Sequence, residues 1–121
     1  MKLVILGGGP GGYAAAIRGA QLGAQVTLIE ENKVGGVCLN TGCIPTKTLL
    51  KGAKWLHQQE KMKDYGLQGK LTLDFDKLMQ RKNQVVKQMT DNVEKLVKAN
   101  GVHILNGRGV MKQGRKVVVS Q

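Results

Sequence analysis

Aromatic side chains are scarce in this chain, with one Trp, two Tyr and one Phe among 121 residues. Because 41% of the residues are nonetheless hydrophobic, any core must be built from aliphatic side chains. Cysteine is scarcer still. The two cysteines have no second pair to complete the four-ligand set of a structural zinc site. No apolar run approaches the roughly 18 residues of a membrane span. Lys2-Leu3-Val4-Ile5-Leu6 starts like a secretory signal, but the apolar run stops at Gly7, short of an h-region. No repeat and no linker interrupts the chain, so its length bounds it to one domain or part of one. Two cysteines without a signal suggest cytoplasmic redox chemistry before a structural staple.

Acids are few beside bases, eight against nineteen, leaving a net charge of +11. Such a balance raises the question of nucleic acid. Most lysines are spread along two helical stretches, 47–63 and 77–98, without aromatic interleaving or an RNA-recognition signature. Solvated helix faces, or faces matched to acidic surface outside this chain, are the simpler reading. No nucleic acid and no membrane is expected as a partner.

What the chain does have is glycine, and it is concentrated: 11 of 17 lie within residues 7–52. An apolar run over residues 2–6 reads as a buried parallel strand. It is followed by Gly7-Gly8-Gly9-Pro10-Gly11-Gly12, which carries G-x-G-x-x-G at positions 7, 9 and 12. An Ala-rich helix over 13–22 and a strand over 25–30 complete a βαβ unit. Glu30 closes that strand, where the ribose-binding acid of a dinucleotide fold is expected, with Glu31 as the alternative. In this reading Gly7 permits the tight turn, and Gly9 lets the backbone approach a pyrophosphate seated on the helix N-terminus. Gly12 lets helix and strand pack closely. Gly19, inside the helix, costs about 1 kcal/mol relative to Ala and has no ligand-based reason.

The second feature is Cys38-Leu-Asn-Thr-Gly-Cys43-Ile-Pro-Thr-Lys47. In a regular helix the Cα atoms of residues i and i+5 lie about 8.7 Å apart, beyond the roughly 7 Å a disulfide tolerates. The pair can close only if the backbone departs from helix between them. Asn40, Thr41 and Gly42 are residue types that permit this, and Pro45 is tolerated only near a helix start. With helix beginning near Ile44, Cys43 and Lys47 share a face. A thiolate beside a cation and a helix start has a lowered pKa and exchanges readily. The pattern points to a redox-active dithiol. A four-residue loop closes too little chain entropy for a staple to be its purpose.

Beyond it, a helix is expected over 45–61, a loop over 62–74 and a long helix over 75–100 capped by Gly101. On that long helix Leu78, Val85, Val86, Met89, Val93, Leu96 and Val97 form one stripe, with Met79 and Met89 as core filler. A third strand follows over 102–105. Two short runs, 110–111 and 117–119, flank Gly114 as the start of an antiparallel ribbon.

The strings 7–12, Glu30, 35–47 and Gly107-Arg108-Gly109 together resemble the FAD-dependent pyridine nucleotide–disulfide oxidoreductases, over essentially the whole chain. Leu39 and Ile44, where relatives reducing glutathione or mercuric ion tend to have Val, favour the branch that oxidises dihydrolipoamide. The resemblance implies a three-layer α/β, Rossmann-like FAD-binding fold with a parallel sheet and the start of an antiparallel ribbon, incomplete at its C-terminus. It implies FAD on Gly7, Gly9, Pro10, Gly12, Glu30, Glu31, Gly36 and Val37, with Gly109 on the adenine side. Cys43 would lie beside the flavin and Lys47 near its N5 side, while Cys38 would be the interchange thiol. Electrons would pass from dihydrolipoamide, or a lipoyl domain of a 2-oxoacid dehydrogenase or glycine cleavage complex, through Cys38 and Cys43 to flavin and on to NAD. The full-length form would be a homodimer. Another disulfide or mercuric reductase, or a redox-sensing FAD module without turnover, are the alternatives.

By the same resemblance, residues 1–121 are a partial FAD-binding domain. The ribbon's continuation, an Ala-Thr-Gly strand, the NAD domain and the dimerisation domain with its His–Glu pair do not occur in the sequence, and His57 and His103 do not replace that pair. The chain alone is therefore expected not to turn over. An open edge at the first strand should promote self-association, or residues 110–121 should be partly disordered. Light scattering is expected to show species larger than a monomer; a monomer whose last ten residues resist proteolysis would count against this.

Overall fold

The computed structural model describes residues 1–120. Strand β1 (Lys2–Leu6), helix α1 (Pro10–Gln21) and strand β2 (Gln25–Glu30) form the expected βαβ unit. β1 and β2 run parallel, with Leu3 opposite Val26 and Ile5 opposite Leu28. The chain then makes a long excursion through α2 (Gly36–Asn40), α3 (Cys43–Gln58), a 3₁₀ segment (Gln59–Tyr65) and α4 (Phe75–Ala99). It returns as β3 (His103–Asn106), parallel to β2 on its far side, with Leu28 opposite Ile104. The sheet order is β1-β2-β3, and β4 (Arg108–Lys112) pairs antiparallel with β5 (Lys116–Ser120) as a separate ribbon. Both cysteines thus lie in the β2–β3 crossover, beyond the C-terminal end of the central strand.

The core is aliphatic. Ala16 from α1, Val26 and Leu28 from β2, and Val97 and Val102 around the end of α4 are buried together, with Leu3, Ile5, Ile17, Val93 and Ile104 packed on them. One face of the sheet therefore carries both α1 and α4. Ile29 alternates to the other face. There β4 approaches so closely that a Cβ on Gly109 would lie 3.1 Å from Ile29 Cγ2. Helices, sheet and ribbon make the three layers of the expected α/β architecture. Gly19 also finds its reason here: a Cβ would come within 2.8 Å of Leu3 Cδ2, where α1 crosses β1.

Local chemistry accounts for the helix ends. Asp74 caps α4 by accepting from the Lys77 amide at 3.0 Å, and Asp76 adds negative charge in the first turn. Gly101, with φ +78°, ends it in the left-handed conformation, as expected.

Several boundaries and one face differ from the sequence reading. α1 begins at Pro10, three residues early, because proline suits the first helical position. α3 begins at Cys43, and Pro45 is accommodated in its first turn, where amides have no intrahelical partner. α3 stops at Gln58, and the chain continues as 3₁₀ helix to Tyr65, part of it inside the stretch read as loop. β3 starts one residue late and extends to Asn106. Met89 and Leu96 are not on the buried stripe: they are 38% and 53% exposed. Leu96 precedes Val97 by one residue and so points about 100° away from it. Thr90, seven residues before Val97, takes the inward position and is buried. Within the stretch 110–121, for which partial disorder is the alternative expectation, residues 110–112 and 116–120 are paired in the ribbon and 113–115 form its turn, while Gln121 lies outside the described residues. β1 pairs only with β2, so its other edge is open among the described residues.

Val97→Ala is expected to cost about 2 kcal/mol by emptying a fully buried site. Leu96→Ala should change stability by less than about 0.5 kcal/mol. Urea unfolding of the two variants checks the assignment of the buried face.

Candidate functional site

The turn between β1 and α1 is held by backbone and by one side chain. The Gly7 amide donates to the Ile29 carbonyl at 2.8 Å, and the Tyr13 amide to the Gly9 carbonyl at 3.0 Å. Gly12 faces the turn so closely that a Cβ there would collide with the Gly7 carbonyl oxygen, with Ile5 of β1 next nearest. The close helix–strand approach expected of Gly12 is thus realised mainly against the turn itself. At the start of α1 Gly9 is the N-cap, Pro10 follows it, and no side-chain cap or first-turn acid is present. The first-turn amides therefore form an uncapped, electropositive helix end, suited to a phosphate.

Glu30, at the end of β2, is 9% exposed. Its Oε2 accepts from the Gly8 amide at 2.6 Å and its Oε1 from the Asn32 amide at 2.8 Å. A carboxylate has about four lone-pair sites, so two such bonds fix its orientation and leave acceptor capacity for a hydroxyl. Glu30, Glu31 and Gly109 line one cleft of about 230 Å³, beside Leu6, Gly7 and Arg108. Sequence reading placed these three separately, and the fold brings them together.

The dithiol segment is joined to the same turn. The Gly35 amide donates to the Gly8 carbonyl at 2.7 Å. Gly36, with φ +59°, sits so near Gly9 that a Cβ would lie 2.8 Å from Gly9 Cα. Only glycine meets both demands. Gly36 and Val37 then open α2, a single helical turn that includes Cys38 and that no periodicity in five residues could reveal. The break from helix comes at Thr41 (φ −135°, ψ −1°) and Gly42 (φ −118°, ψ −107°). Asn40, read as a turn former, is instead the last residue of α2. Cys43 is the first residue of α3, so Lys47 lies one turn on along its face, as expected.

Both cysteines are free thiols, Cys38 half-buried and Cys43 exposed. The Cys38 thiol titrates above its ordinary value, first because its side chain is hydrogen-bonded to Cys43, then through burial and the Cys43 charge. The Cys43 amide and the Lys47 ammonium pull the other way and lose. At Cys38 the neighbouring sulfur thus outweighs the cation. His57 and His103 are exposed, one near the end of α3 and the other at the start of β3.

Gly8, Asn32 and Thr90, which the sequence did not single out, complete the site, together with Asn40 in a role other than the turn former it was read as. Gly8 offers its amide to Glu30 and its carbonyl to Gly35. Asn32 supplies the second amide on Glu30, and Asn40 and Thr90 join α2 to α4. A third consecutive glycine was the only sequence signal for Gly8. The Asn40–Thr90 contact links side chains 50 residues apart, too distant for a pattern to show.

Fold and geometry together define an α/β unit in which a pair of thiols is set against a glycine-rich turn and an uncapped helix start. The chain belongs to the pyridine nucleotide-disulphide oxidoreductase family, whose description matches residues 1–120. It is 50% identical over 121 residues to a dihydrolipoyl dehydrogenase of Acholeplasma laidlawii, covering 98% of this chain and 36% of that protein. It is 48% identical over 118 residues to one of Thermus scotoductus, covering 98% and 26%. Among solved structures, LpdA from Mycobacterium tuberculosis matches with a TM-score of 0.85 at 25% identity, over 94% of this chain and 25% of that one. The HOCl-induced flavoprotein disulfide reductase RclA from Escherichia coli, solved as a Cu(II) complex, matches with a TM-score of 0.79 at 27% identity, over 98% and 24%. The chain spans about a quarter to a third of the length of these relatives. Among its described residues, no helix is long and apolar enough to cross a membrane.

Removing the Cys43 thiol removes the largest cause that holds Cys38 protonated. In Cys43→Ala the pH midpoint for alkylation of Cys38 by iodoacetamide should fall, and its rate near neutral pH should rise. An unchanged midpoint would show that the two sulfurs do not share a proton.

Proposed function

We propose that this chain is the FAD-cradling, dithiol-bearing part of a dihydrolipoamide dehydrogenase. The observation that carries this reading is the backbone contact between the phosphate-binding turn and the dithiol segment, Gly8 to Gly35 and Gly9 to Gly36. One rigid junction thereby sets a dinucleotide beside a pair of thiols.

In this reading the α1 N-terminus with Gly9 and Pro10 takes the FAD pyrophosphate. Glu30, oriented by Gly8 and Asn32, accepts from a ribose hydroxyl, with Glu31 and the Gly109 backbone on the adenosine side of the cleft. Gly36 and Val37 lie along the cofactor, and Cys43 and Lys47 lie toward its flavin. When bound, FAD supplies the two-electron acceptor between the dithiol and NAD⁺. The reaction of the whole enzyme is dihydrolipoamide plus NAD⁺ giving lipoamide, NADH and a proton.

The protein's own part is thiol–disulfide exchange. A dihydrolipoamide thiolate attacks Cys38 of the Cys38–Cys43 disulfide; a mixed disulfide forms on Cys38 and Cys43 leaves as thiolate, with Lys47 one turn away. The second lipoyl thiol then attacks the lipoyl sulfur of the mixed disulfide, closing lipoamide and releasing Cys38. A raised proton affinity suits Cys38 to take up the proton that this second thiol gives up. The partner is a lipoyl domain of a 2-oxoacid dehydrogenase or glycine cleavage complex, and the whole enzyme is a cytoplasmic homodimer.

The test is a visible spectrum of the chain after incubation with FAD and gel filtration. Retained flavin absorbance that changes on adding dithiothreitol is expected. Gly36→Ala, which forces the dithiol segment off Gly9, should weaken retention at least about tenfold. A colourless wild-type chain would overturn the assignment of the cradle to residues 1–121.

A further inference from the structure

One side chain in the dithiol loop carries more hydrogen bonds than any other among the described residues. The Asn40 amide Nδ2 faces three carbonyl oxygens, of Gly36 at 3.0 Å, Val34 at 3.3 Å and Lys33 at 3.4 Å. Its Oδ1 accepts from the Thr90 hydroxyl at 3.1 Å. Thr90 is buried on the inward face of α4, the helix that supplies Val97 to the core. Asn40 therefore ties the end of α2 to its start and to the turn leading into it, and anchors all three to α4. Cys38 lies two residues before it, and Cys43 three residues after, past the break at Thr41 and Gly42. Neither thiol is itself fixed by a ladder of strand hydrogen bonds. This amide ties the Cys38 turn to α4, in addition to the Gly35–Gly8 bond that joins it to the glycine turn.

We infer that Asn40, oriented by Thr90, is a positioning residue of the Cys38–Cys43 redox pair, holding α2 where the two sulfurs meet. The inference rests on the redox reading of that pair. A bond to a rigid element lowers the freedom each thiol must lose on closing the disulfide, as in any preorganised intramolecular reaction. Removing the amide lets α2 move and lowers the stability of the disulfide relative to the dithiol, without touching either sulfur.

The measurement is the equilibrium of the 121-residue chain with mixtures of reduced and oxidised glutathione. The Cys38 Sγ–Cys43 Sγ bond forms and the glutathione disulfide breaks. The pair gives up two electrons and two protons, and each glutathione sulfur takes one of each. Samples are acid-quenched and alkylated, and the two forms counted by mass.

Asn40→Ala is expected to lower the equilibrium constant for disulfide formation about tenfold, the scale of a lost hydrogen-bond set. That is about 30 mV for a two-electron couple. Thr90→Val, which keeps shape and removes the hydroxyl, should lower it about threefold, and Thr90→Ser should restore it. The alkylation midpoint of Cys38 should fall in Asn40→Ala, because a looser α2 separates it from Cys43. Circular dichroism melting shows whether each variant is folded, and if Asn40→Ala is not, Thr90→Val decides. Folded variants with constants within about twofold of wild type would overturn the inference. A wild-type chain that forms no intramolecular disulfide at any glutathione ratio would instead overturn the redox reading.

Discussion

The backbone of Gly8 is the joint on which the site depends. Its amide donates to Glu30 at 2.6 Å, and its carbonyl accepts from the Gly35 amide at 2.7 Å. Three pieces distant in sequence meet there: the glycine turn after β1, the acid ending β2, and the entry to the dithiol turn. Gly8 is buried, so leaving either group unpaired would cost about 1–3 kcal/mol. A Cβ at this position would press to 3.2 Å from Glu30 Oε2. The carboxylate, the turn and the thiols therefore keep one geometry.

How much of this a sequence can reveal depends on the range of the interactions. The βαβ unit was legible because its signals are local: an apolar run, a glycine cluster, an alanine-rich helix and a second run ending in Glu30. The caps of α4 were legible for the same reason, since Asp74 and Gly101 act on amides and carbonyls within a few residues. The break between the cysteines followed from helix dimensions alone, and it falls at Thr41 and Gly42. The rest is long-range. Glu30 meets Gly8 across 22 residues, and Asn40 meets Thr90 across 50. Asn40 misled because its residue type favours turns, while its actual work is done by an amide that reaches carbonyls before it and a hydroxyl on another helix. Leu96 misled because an apolar count does not say which 100° step faces the sheet; Val97 does, and Thr90 accompanies it inward at the cost of a hydroxyl that Asn40 satisfies. Among the described residues no buried side-chain polar atom lacks a partner, so that exchange leaves nothing unpaid.

The charge that first suggested nucleic acid is distributed by helix geometry. Lys77 pairs with Asp74, Lys87 with Asp91 and Lys98 with Glu94, each within one turn of α4 and each exposed. Lys87 is the first cause of the lowered titration of Asp91. Such exposed pairs contribute little to stability. Their effect is to keep the outer face of α4 solvated while its inner face holds Thr90 and Val97, so the helix that anchors the dithiol turn has a fixed orientation about its own axis.

The difference between the two thiols follows from where the helix breaks. Cys38 is inside α2 and half-buried, and Cys43 opens α3 and is exposed. The sulfurs can meet only because α3 starts directly against α2. A Cβ on Gly42 would lie 2.9 Å from the Val37 carbonyl oxygen and 3.4 Å from Cys38 Cα. Any side chain at that position would push the start of α3 away from the turn carrying Cys38, and the neighbouring sulfur would no longer hold the Cys38 proton. The four intervening residues thus end one helix, turn at a residue without a side chain, and lead into another whose first residue lies beside the first thiol. In that arrangement Cys43 is presented outward on a helix start, and Cys38 is kept further inward with its proton held by the neighbouring sulfur.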